Sequence, residues 1–258
     1  MRSLLLLSGL LCDETVWRDT AQDLASSAEV RIISFPGLNS IAAMAGHVLR
    51  IAPERFLVAG HSMGGRVALE IFRQSRERVL GLALLSTGAY PSRPREIEIR
   101  GRLVKLARER GMSALADEWL PPMMGASKAR VAQLMPELRA MVERQTLESF
   151  AAQVKAMLER PDASVVLPTI DVPTLLASGT ADTWSPLIQH EEMHRQIPHA
   201  TLVAIDDAGH MAPAEQPHAV ATALRAWMGL FNSAQCTRRV RPLAVPAPPS
   251  VRPPGRRA

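Results

Sequence analysis

Short runs of apolar residues, each bounded by turn-forming residues, recur along the chain. Six of these runs have the length and continuity of buried strands, and they cover residues 4–7, 30–35, 56–59, 79–85, 174–177 and 201–205. Stretches with helical periodicity lie between most of them. Continuous apolar strands that alternate with helices are typical of a parallel sheet that is covered on both faces. The pattern therefore predicts an α/β fold with a mostly parallel sheet and helices on both faces.

Residues 91–165 interrupt this alternation, because helical patterns follow one another there without a strand between them. Apolar residues recur at i, i+3, i+4 and i+7, first at Val131, Leu134, Met135, Leu138, Met141 and Val142 and again at Phe150, Val154, Met157 and Leu158. This spacing is typical of amphipathic helices. We therefore expect a helical cap inserted after the fourth strand, on a core made of residues 1–90 and 166–231.

The end of the chain differs in composition from the rest. Residues 232–258 are rich in proline and arginine and contain almost no large apolar residue, which predicts a disordered tail. The chain has a net charge of +5, but this tail holds six arginines and no acid, so the preceding residues carry about −1. The charge therefore gives no indication that the core binds nucleic acid.

Composition narrows the class of protein further. Of the 258 residues, 47% are apolar and 21% are charged, which excludes wholesale disorder. No apolar run approaches the roughly 18–20 residues of a membrane-spanning helix, so no membrane partner is expected. The apolar start of the chain is not followed by the small residues of a signal-peptide cleavage site. The only cysteines, Cys12 and Cys236, exclude a disulfide scaffold, and we expect a cytoplasmic protein.

One turn between a predicted strand and a predicted helix carries a candidate nucleophile. Residues 60–64 have the sequence Gly-His-Ser-Met-Gly and match the pattern G-x-S-x-G. The glycines allow a turn so tight that it strains the backbone of Ser62 and exposes its hydroxyl at the carboxyl edge of the sheet. The N-terminal amides of the following helix face the same point, where they stabilise negative charge. Ser62 is therefore the candidate nucleophile.

A serine hydroxyl needs a base to take its proton, and the base needs a carboxylate to orient it. Of the seven histidines, His210 follows the last predicted strand, in a loop expected at the edge where the nucleophile lies. Asp182 comes a few residues after the fifth predicted strand and is expected at the same edge. Asp206 and Asp207 are reserve candidates, although they lie close in sequence to His210. The expected catalytic set is Ser62, Asp182 and His210, in this chain order.

This order and these motifs resemble the α/β-hydrolase fold superfamily, especially its small esterases and lactonase-like members. The resemblance covers about residues 3–231 and rests on residues 60–64, on Gly179 with Asp182, and on Gly209-His210 followed by Glu215-Gln216-Pro217. It implies a sheet of about six strands, since the two edge strands that often precede the first one are missing here. It also implies catalysis without a metal or an organic cofactor.

The resemblance further implies an oxyanion hole built from backbone N–H groups. One donor is expected from Met63, the residue after the nucleophile. The other is expected from the loop after the first strand, with Leu10 as the candidate and Leu11 as the reserve. Ser8 stands where relatives often have a histidine, but a backbone donor depends little on side-chain identity.

The resemblance leaves several substrates open. We expect a serine hydrolase that cleaves a small to medium carboxylic ester through an acyl-enzyme. An enol-lactone or the carbon–carbon bond of a β-diketone-like compound would suit the same three residues. An acyltransferase would differ only in its acceptor, and a non-catalytic ligand receptor can share the fold. Candidate substrate contacts are Trp17, Trp119, Phe150 and Trp184, and the methionines of residues 91–165 are expected either in ordinary core or in the lining of a lid.

A second motif competes with the serine motif. Residues 190–194, His-Glu-Glu-Met-His, match H-E-x-x-H, in which His190 and His194 would bind zinc and Glu191 would act as the base. The segment lies between two predicted strands, on a helix expected to cover the sheet away from the active edge. A zinc site would also leave the serine motif and its two partners without a role. The zinc metalloprotease is therefore the less favoured alternative, and a solvated helix face is the favoured interpretation.

Overall fold

The computed structural model describes the backbone of residues 1–237 and the side chains of residues 1–230. Its strands are β1 Ser3–Leu7, β2 Glu29–Ile33, β3 Phe56–His61, β4 Val79–Leu85, β5 Thr174–Gly179 and β6 Thr201–Ile205. They form one sheet in the order β2-β1-β3-β4-β5-β6, and all neighbouring strands are parallel. The prediction of a parallel sheet with about six strands is confirmed.

Helices cover both faces of this sheet. They are α1 Arg18–Leu24, α2 Ile41–Ile51, α3 Met63–Gln74, α4 Pro94–Trp119, α5 Lys128–Glu143, α6 Leu147–Leu158, α7 Leu187–Gln196, α8 Ala212–Glu215 and α9 Pro217–Thr237. Successive residues of a strand point to opposite faces, and this separates two apolar clusters. Leu4 and Leu6 pack towards α1 and α9, whereas Leu5 and Leu7 pack towards α2 and α3. The continuous apolar strands of the sequence are thus buried from both sides.

Residues 91–165, here called the helical insertion, follow β4 and contain α4, α5 and α6. Helix α4 bends at Gly111, whose φ of 82° lies outside the helical range. It packs against both α5 and α6, and the apolar sides of all three helices join the core cluster on the Leu5 and Leu7 face of the sheet. The function of this insertion as a cap over a binding site stays a prediction.

The carboxyl-terminal boundary of the fold differs from the expected one. Helix α9 continues to Thr237, so the predicted tail of residues 232–258 begins inside a helix. No glycine or proline lies between Gly229 and Pro242 to interrupt the helix. Residues 238–258 lie outside the described part of the chain. Among the helices of the described part, none combines the length and the apolar composition needed to cross a membrane.

Direct contacts between backbone segments hold the turn between β3 and α3. A Cβ on Gly64 would lie 2.2 Å from the carbonyl oxygen of Leu7, and one on Gly60 would lie 2.2 Å from the carbonyl oxygen of Gly64. Ser62 lies between these glycines with φ 55° and ψ −116°, a combination that residues with a side chain rarely adopt. Its carbonyl oxygen accepts a hydrogen bond from Oγ1 of Thr87 at 2.6 Å. The surrounding sheet therefore imposes the strained conformation of Ser62.

A buried carboxylate ties the helical insertion to the loop that follows β6. Glu215 is 1% exposed, and its carboxylate accepts three backbone N–H groups. One comes from Gly209 of the loop at 2.9 Å, and two come from Gly125 and Ala126 of the insertion at 2.7 and 2.6 Å. Glu215 thus joins the loop to a segment that lies 90 residues before Glu215 in the sequence.

The contact between Gly64 and Leu7 generates a prediction about stability. We expect Gly64→Ala to lower the free energy of unfolding by about 3 kcal/mol or more, because the added methyl group would collide with the Leu7 carbonyl group. Gly101→Ala is the matched control, since Gly101 lies in α4 and a Cβ there meets nothing within 4 Å. The control should gain up to about 1 kcal/mol. Urea denaturation measures both changes, and equal stability of the two variants would contradict the expected collision.

The Glu215 carboxylate generates a second prediction. In the wild-type protein, each of these N–H donors faces a carboxylate oxygen. In Glu215→Gln, the amide NH₂ group would replace one of the two oxygens, so at least one buried donor would lose its acceptor. We expect the free energy of unfolding to fall by about 2–4 kcal/mol, as measured by urea denaturation. Glu98→Gln, at an exposed position of α4, is the control and should change stability by less than about 0.5 kcal/mol. Similar losses in the two variants would show that the carboxylate does not join the two segments.

Candidate active site

The structure brings Ser62, Asp182 and His210 together at the carboxyl edge of the sheet. Nε2 of His210 lies 2.9 Å from Oγ of Ser62, and Nδ1 lies 3.0 Å from Oδ2 and 3.1 Å from Oδ1 of Asp182. The three residues follow β3, β5 and β6, respectively. Because a carboxylate only accepts, Nδ1–H donates to Asp182, and Nε2 is left to accept the hydroxyl proton of Ser62. The reserve carboxylates, Asp206 and Asp207, are exposed.

Asp182 is buried, and its carboxylate accepts several hydrogen bonds. Besides the contact with His210, Oδ1 accepts the backbone N–H groups of Trp184 and Ser185, each at 2.9 Å. Burial by itself raises the pKa of this carboxyl. The charge of His210, its hydrogen bond and the two backbone donors outweigh burial and hold the pKa of Asp182 well below its usual value. An ionised Asp182 can therefore stabilise positive charge on His210.

Two further contacts hold the backbone of His210 in place. Its N–H donates to the carbonyl oxygen of Met123, in the helical insertion, at 2.8 Å. Its carbonyl oxygen accepts Nε2–H of His61 at 2.7 Å. His61 is buried, and burial lowers its pKa to about 3, so this ring is neutral at physiological pH. Its only signal in the sequence was its place as a variable residue of the G-x-S-x-G pattern.

The loop after β1 lies against the candidate nucleophile. A Cβ on Gly9 would lie 3.3 Å from Cβ of Ser62. Gln153 of α6 holds the other side of this loop, because its Oε1 accepts the N–H of Leu11 at 2.8 Å and its Nε2 donates to the carbonyl oxygen of Phe35 at 3.1 Å. The helical insertion therefore positions this loop as well as the backbone of His210.

The hydrogen bonds of this loop distinguish the two candidate oxyanion donors within it. The N–H of Leu11 is engaged by Gln153. Within the described residues, the backbone N–H groups of Leu10 and Met63 have no acceptor. Leu10 is thus favoured over Leu11, and the assignment of Leu10 and Met63 to an oxyanion hole stays a prediction.

A cleft of about 550 Å³ opens beside Ser62 and His210. Trp184, one of the predicted substrate contacts, lines it, and Ile99 and Met157 of the helical insertion give it apolar surface. Uncharged residues line part of the rest, and six charged residues line one wall, namely Arg66, Arg93, Arg95, Glu96, Arg100 and Arg160. These charged residues come from α3, α4 and the segments beside α4 and α6. Glu96 and Arg100 are spaced i, i+4 on α4, but no spacing pattern in the sequence connects them to Arg66 or Arg160.

The structure places three of the predicted substrate contacts elsewhere. Trp17, Trp119 and Phe150 are buried in the apolar core and do not line the cleft. Nε1–H of Trp17 donates to the carbonyl oxygen of Leu7 at 3.3 Å, on the face of the sheet where α1 and α9 pack. Large aromatic side chains bury a large apolar area in a core or in a binding cleft, so sequence periodicity does not separate the two locations.

The histidines of the competing zinc motif are engaged with backbone groups. His190 is buried rather than solvated, which corrects the expected solvated face of α7. Its Nε2 accepts the N–H of Thr87 and its Nδ1 donates to the carbonyl oxygen of Pro186, each at 3.2 Å. Nε2 of His194 lies 3.0 Å from the carbonyl oxygen of Ala200. In the part of the chain that the structure describes, no group of three or more His, Cys, Asp or Glu side chains is arranged to hold a metal ion.

Comparison of the sequence with characterised proteins identifies distant relatives. Over 228 residues, the chain is 29% identical to polyketide synthase ThaQ from Burkholderia thailandensis, and the match covers 80% of this chain but only 11% of that protein. The chain is 24% identical over 225 residues to the pimeloyl-[acyl-carrier protein] methyl ester esterase of Nitrosomonas europaea. That match covers 80% of this chain and 88% of the esterase.

Solved structures and a family model extend the comparison to the fold. An esterase from Thermogutta terrifontis has a TM-score of 0.79 at 31% identity, over 89% of this chain and 90% of that chain. The enol-lactonase from Burkholderia xenovorans LB400 also has a TM-score of 0.79, at 25% identity, over 89% of this chain and 92% of that chain. The model of the alpha/beta hydrolase family matches residues 4–223. The chain therefore belongs to the alpha/beta hydrolase family.

Proposed function

We propose that the protein is a serine hydrolase that cleaves a small to medium carboxylic ester through an acyl-enzyme intermediate. The observation that carries the proposal is the 2.9 Å distance between Oγ of Ser62 and Nε2 of His210, with Asp182 at 3.0 Å from the other ring nitrogen. Membership of a hydrolase family and similarity to an esterase of known structure support it. The cleft beside Ser62 offers room for a substrate.

The first half of the proposed reaction forms the acyl-enzyme. Nε2 of His210 takes the hydroxyl proton of Ser62 while the serine oxygen attacks the ester carbonyl carbon. The N–H groups of Leu10 and Met63 stabilise the negative charge that develops on the carbonyl oxygen. Asp182 stabilises the imidazolium. His210 then donates its proton to the alcohol oxygen as the carbon–oxygen bond breaks.

The second half releases the acid. His210 takes a proton from a water molecule, and the water oxygen attacks the acyl carbon. The tetrahedral intermediate collapses, His210 returns the proton to the oxygen of Ser62, and the carboxylic acid leaves. The net reaction consumes one water molecule and one ester and yields one acid and one alcohol.

An enol-lactone is the second candidate substrate, and the carbon–carbon bond of a β-diketone-like compound is a related one. The observation that favours the lactone is the similarity to a structure described as an enol-lactonase. The same attack by Ser62 would open a lactone ring, and the leaving oxygen would stay attached to the acyl chain. Direct assay of lactones and of linear esters of equal chain length separates the two substrates.

Removal of the nucleophile tests the proposal directly. We expect Ser62→Ala to lower kcat for p-nitrophenyl butyrate by at least about 10⁴-fold. A fluorophosphonate should form one adduct at Ser62 of the wild-type protein and none in the variant, as measured by mass spectrometry of the intact protein. Ser26→Ala, at an exposed serine of the same chain, is the control and should keep both the adduct and the turnover. Near-normal turnover by Ser62→Ala would reject the mechanism.

The ionised state of Asp182 generates a prediction about pH. Its pKa is lower in the folded chain than in the unfolded chain, so the ionised carboxylate stabilises the fold above the unfolded pKa of about 3.9. This contribution is lost progressively as the pH falls below that value. We therefore expect Asp182→Asn to be less stable than wild type at about pH 7, with a smaller difference at about pH 3, in urea denaturation. A difference that is equal at both pH values would contradict the lowered pKa.

The same variant tests the role of Asp182 in catalysis. An asparagine stabilises the wrong tautomer of His210 and cannot neutralise the imidazolium, so kcat for p-nitrophenyl butyrate should fall by about 10⁴-fold. Glu98→Gln, an exposed acid-to-amide change, is the matched control and should keep normal kcat.

A further inference from the structure

One wall of the cleft beside Ser62 carries an excess of positive charge. Five arginines and one glutamate line it, namely Arg66, Arg93, Arg95, Arg100, Arg160 and Glu96. Arg93 and Arg95 are exposed. The side chains of Arg100 and Arg160 are only 11% and 4% exposed. Positive charge is therefore held inside the cleft as well as near its mouth.

Arg100 and Arg160 share Glu96, the one carboxylate that the described residues contribute to this wall. Oε1 and Oε2 of Glu96 accept from Nη1 and Nη2 of Arg160 at 2.8 and 2.6 Å. Oε1 also accepts from Nε of Arg100 at 2.9 Å. Among the described residues, neither terminal nitrogen of Arg100 has an acceptor. One negative charge thus faces two positive ones.

Arg66 adds a third positive charge without a carboxylate of its own in the described structure. Its Nη1 donates to the carbonyl oxygen of Tyr90 at 2.8 Å, and Nε of Arg160 donates to the same oxygen at 3.0 Å. Burial, and after it the charge of Arg160, lowers the pKa of Arg66. The charge of Glu96 acts in the opposite direction and raises this pKa. A guanidinium stays protonated in proteins, so a further anion in the cleft would reduce the cost of burying it.

A purely structural cluster of buried cations is normally matched by carboxylates, because an unpaired buried charge is costly. Here three guanidinium groups line one wall with a single carboxylate, and among the described residues some donors of Arg66 and Arg100 have no acceptor. Guanidinium groups form paired hydrogen bonds to carboxylates and phosphates. The unmatched donors therefore have the chemistry of an anion-binding site.

We propose that Arg66, Arg100 and Arg160 form a subsite that binds an anionic group of the substrate, a carboxylate or a phosphate. This inference rests on the proposed function, since it places the anion on the same molecule as the ester that Ser62 attacks. Arg66 follows Ser62 by four residues, about one turn of α3, so a short carbon chain is expected between the ester and the anion.

The substrate class that follows is an ester that also bears an oxyanion. Ile99 and Met157 line the same cleft and offer apolar surface for the carbon chain between the two groups. Hydrolysis of such a molecule by one water yields an acid and an alcohol and leaves the second anionic group unchanged. The exposed Arg93 and Arg95 would attract the anion from solution, and salt would weaken that attraction.

Three matched pairs of esters test the subsite. Monomethyl glutarate against dimethyl glutarate places a carboxylate on the acyl side of the ester. The pair of 4-acetoxybutyrate and 4-acetoxybutyramide places it on the alcohol side. The pair of 4-acetoxybutyl phosphate and butyl acetate replaces the carboxylate by a phosphate. For each pair, the charge preference is the ratio of kcat/KM of the charged ester to that of the neutral ester, measured at low salt.

We expect wild-type protein to prefer the charged ester by about 10- to 100-fold in at least one pair, and the pair concerned identifies the anion and its side of the ester. Arg66→Gln should lower that preference by about 10-fold or more. Arg108→Gln is the matched control, because Arg108 is an exposed arginine of α4 outside the cleft, and it should keep the wild-type preference. If Arg66→Gln does not fold, Arg100→Gln replaces it in the same assay.

The outcomes separate this inference from the proposed function. The subsite alone is overturned if the charge preference is near one in all three pairs while the protein still forms the fluorophosphonate adduct at Ser62 and hydrolyses the neutral esters. A preference that survives in both Arg66→Gln and Arg100→Gln also overturns it. Folded protein that forms no adduct and cleaves no ester rejects the proposed function and the subsite with it. Calorimetry of Ser62→Ala with the two esters of the preferred pair adds a readout without turnover. The charged ester should bind more tightly than the neutral one, and equal binding of the two would overturn the subsite.

Discussion

The candidate site depends on the close approach of Gly64 to the carbonyl group of Leu7. With no side chain between the two backbones, α3 begins directly against the sheet, and Ser62 is forced into a conformation with positive φ. The parallel pairing of β3 with β1 and β4 fixes the position of the strand that leads into this turn. Burial of these three strands offsets the local strain, and the strained conformation directs the serine hydroxyl towards His210.

The helical insertion contributes to the site from the opposite side. Met123 accepts the backbone N–H of His210, Glu215 joins the insertion to the loop that carries His210, and Gln153 holds the loop after β1. The insertion therefore holds His210 and the candidate oxyanion loop in position while its own residues line the cleft. Movement of the insertion would change the geometry of His210 as well as access to Ser62.

Much of the fold and the centre of the candidate site could be predicted from the sequence. The six apolar runs correspond to the six strands, because a strand buried on both faces requires continuous apolar residues. Ser62 was identifiable because its glycine pattern lies between a strand and a helix. Asp182 and His210 were identifiable because each follows a strand at the same edge of the sheet. These features depend on neighbours within a few residues along the chain, which a sequence records directly.

The sequence by itself thus determined the parallel sheet, the turn that carries Ser62, and the order of Ser62, Asp182 and His210 along the chain. Only the tertiary structure decided that Trp17 lies in the core and that Arg66 and Arg160 donate to the same carbonyl oxygen. It also decided that the N–H of Leu11 has an acceptor, whereas the N–H of Leu10 has none in the described structure. The physical reason is distance along the chain. Burial and charge convergence arise where segments far apart in sequence pack together, and local periodicity contains no information about that packing.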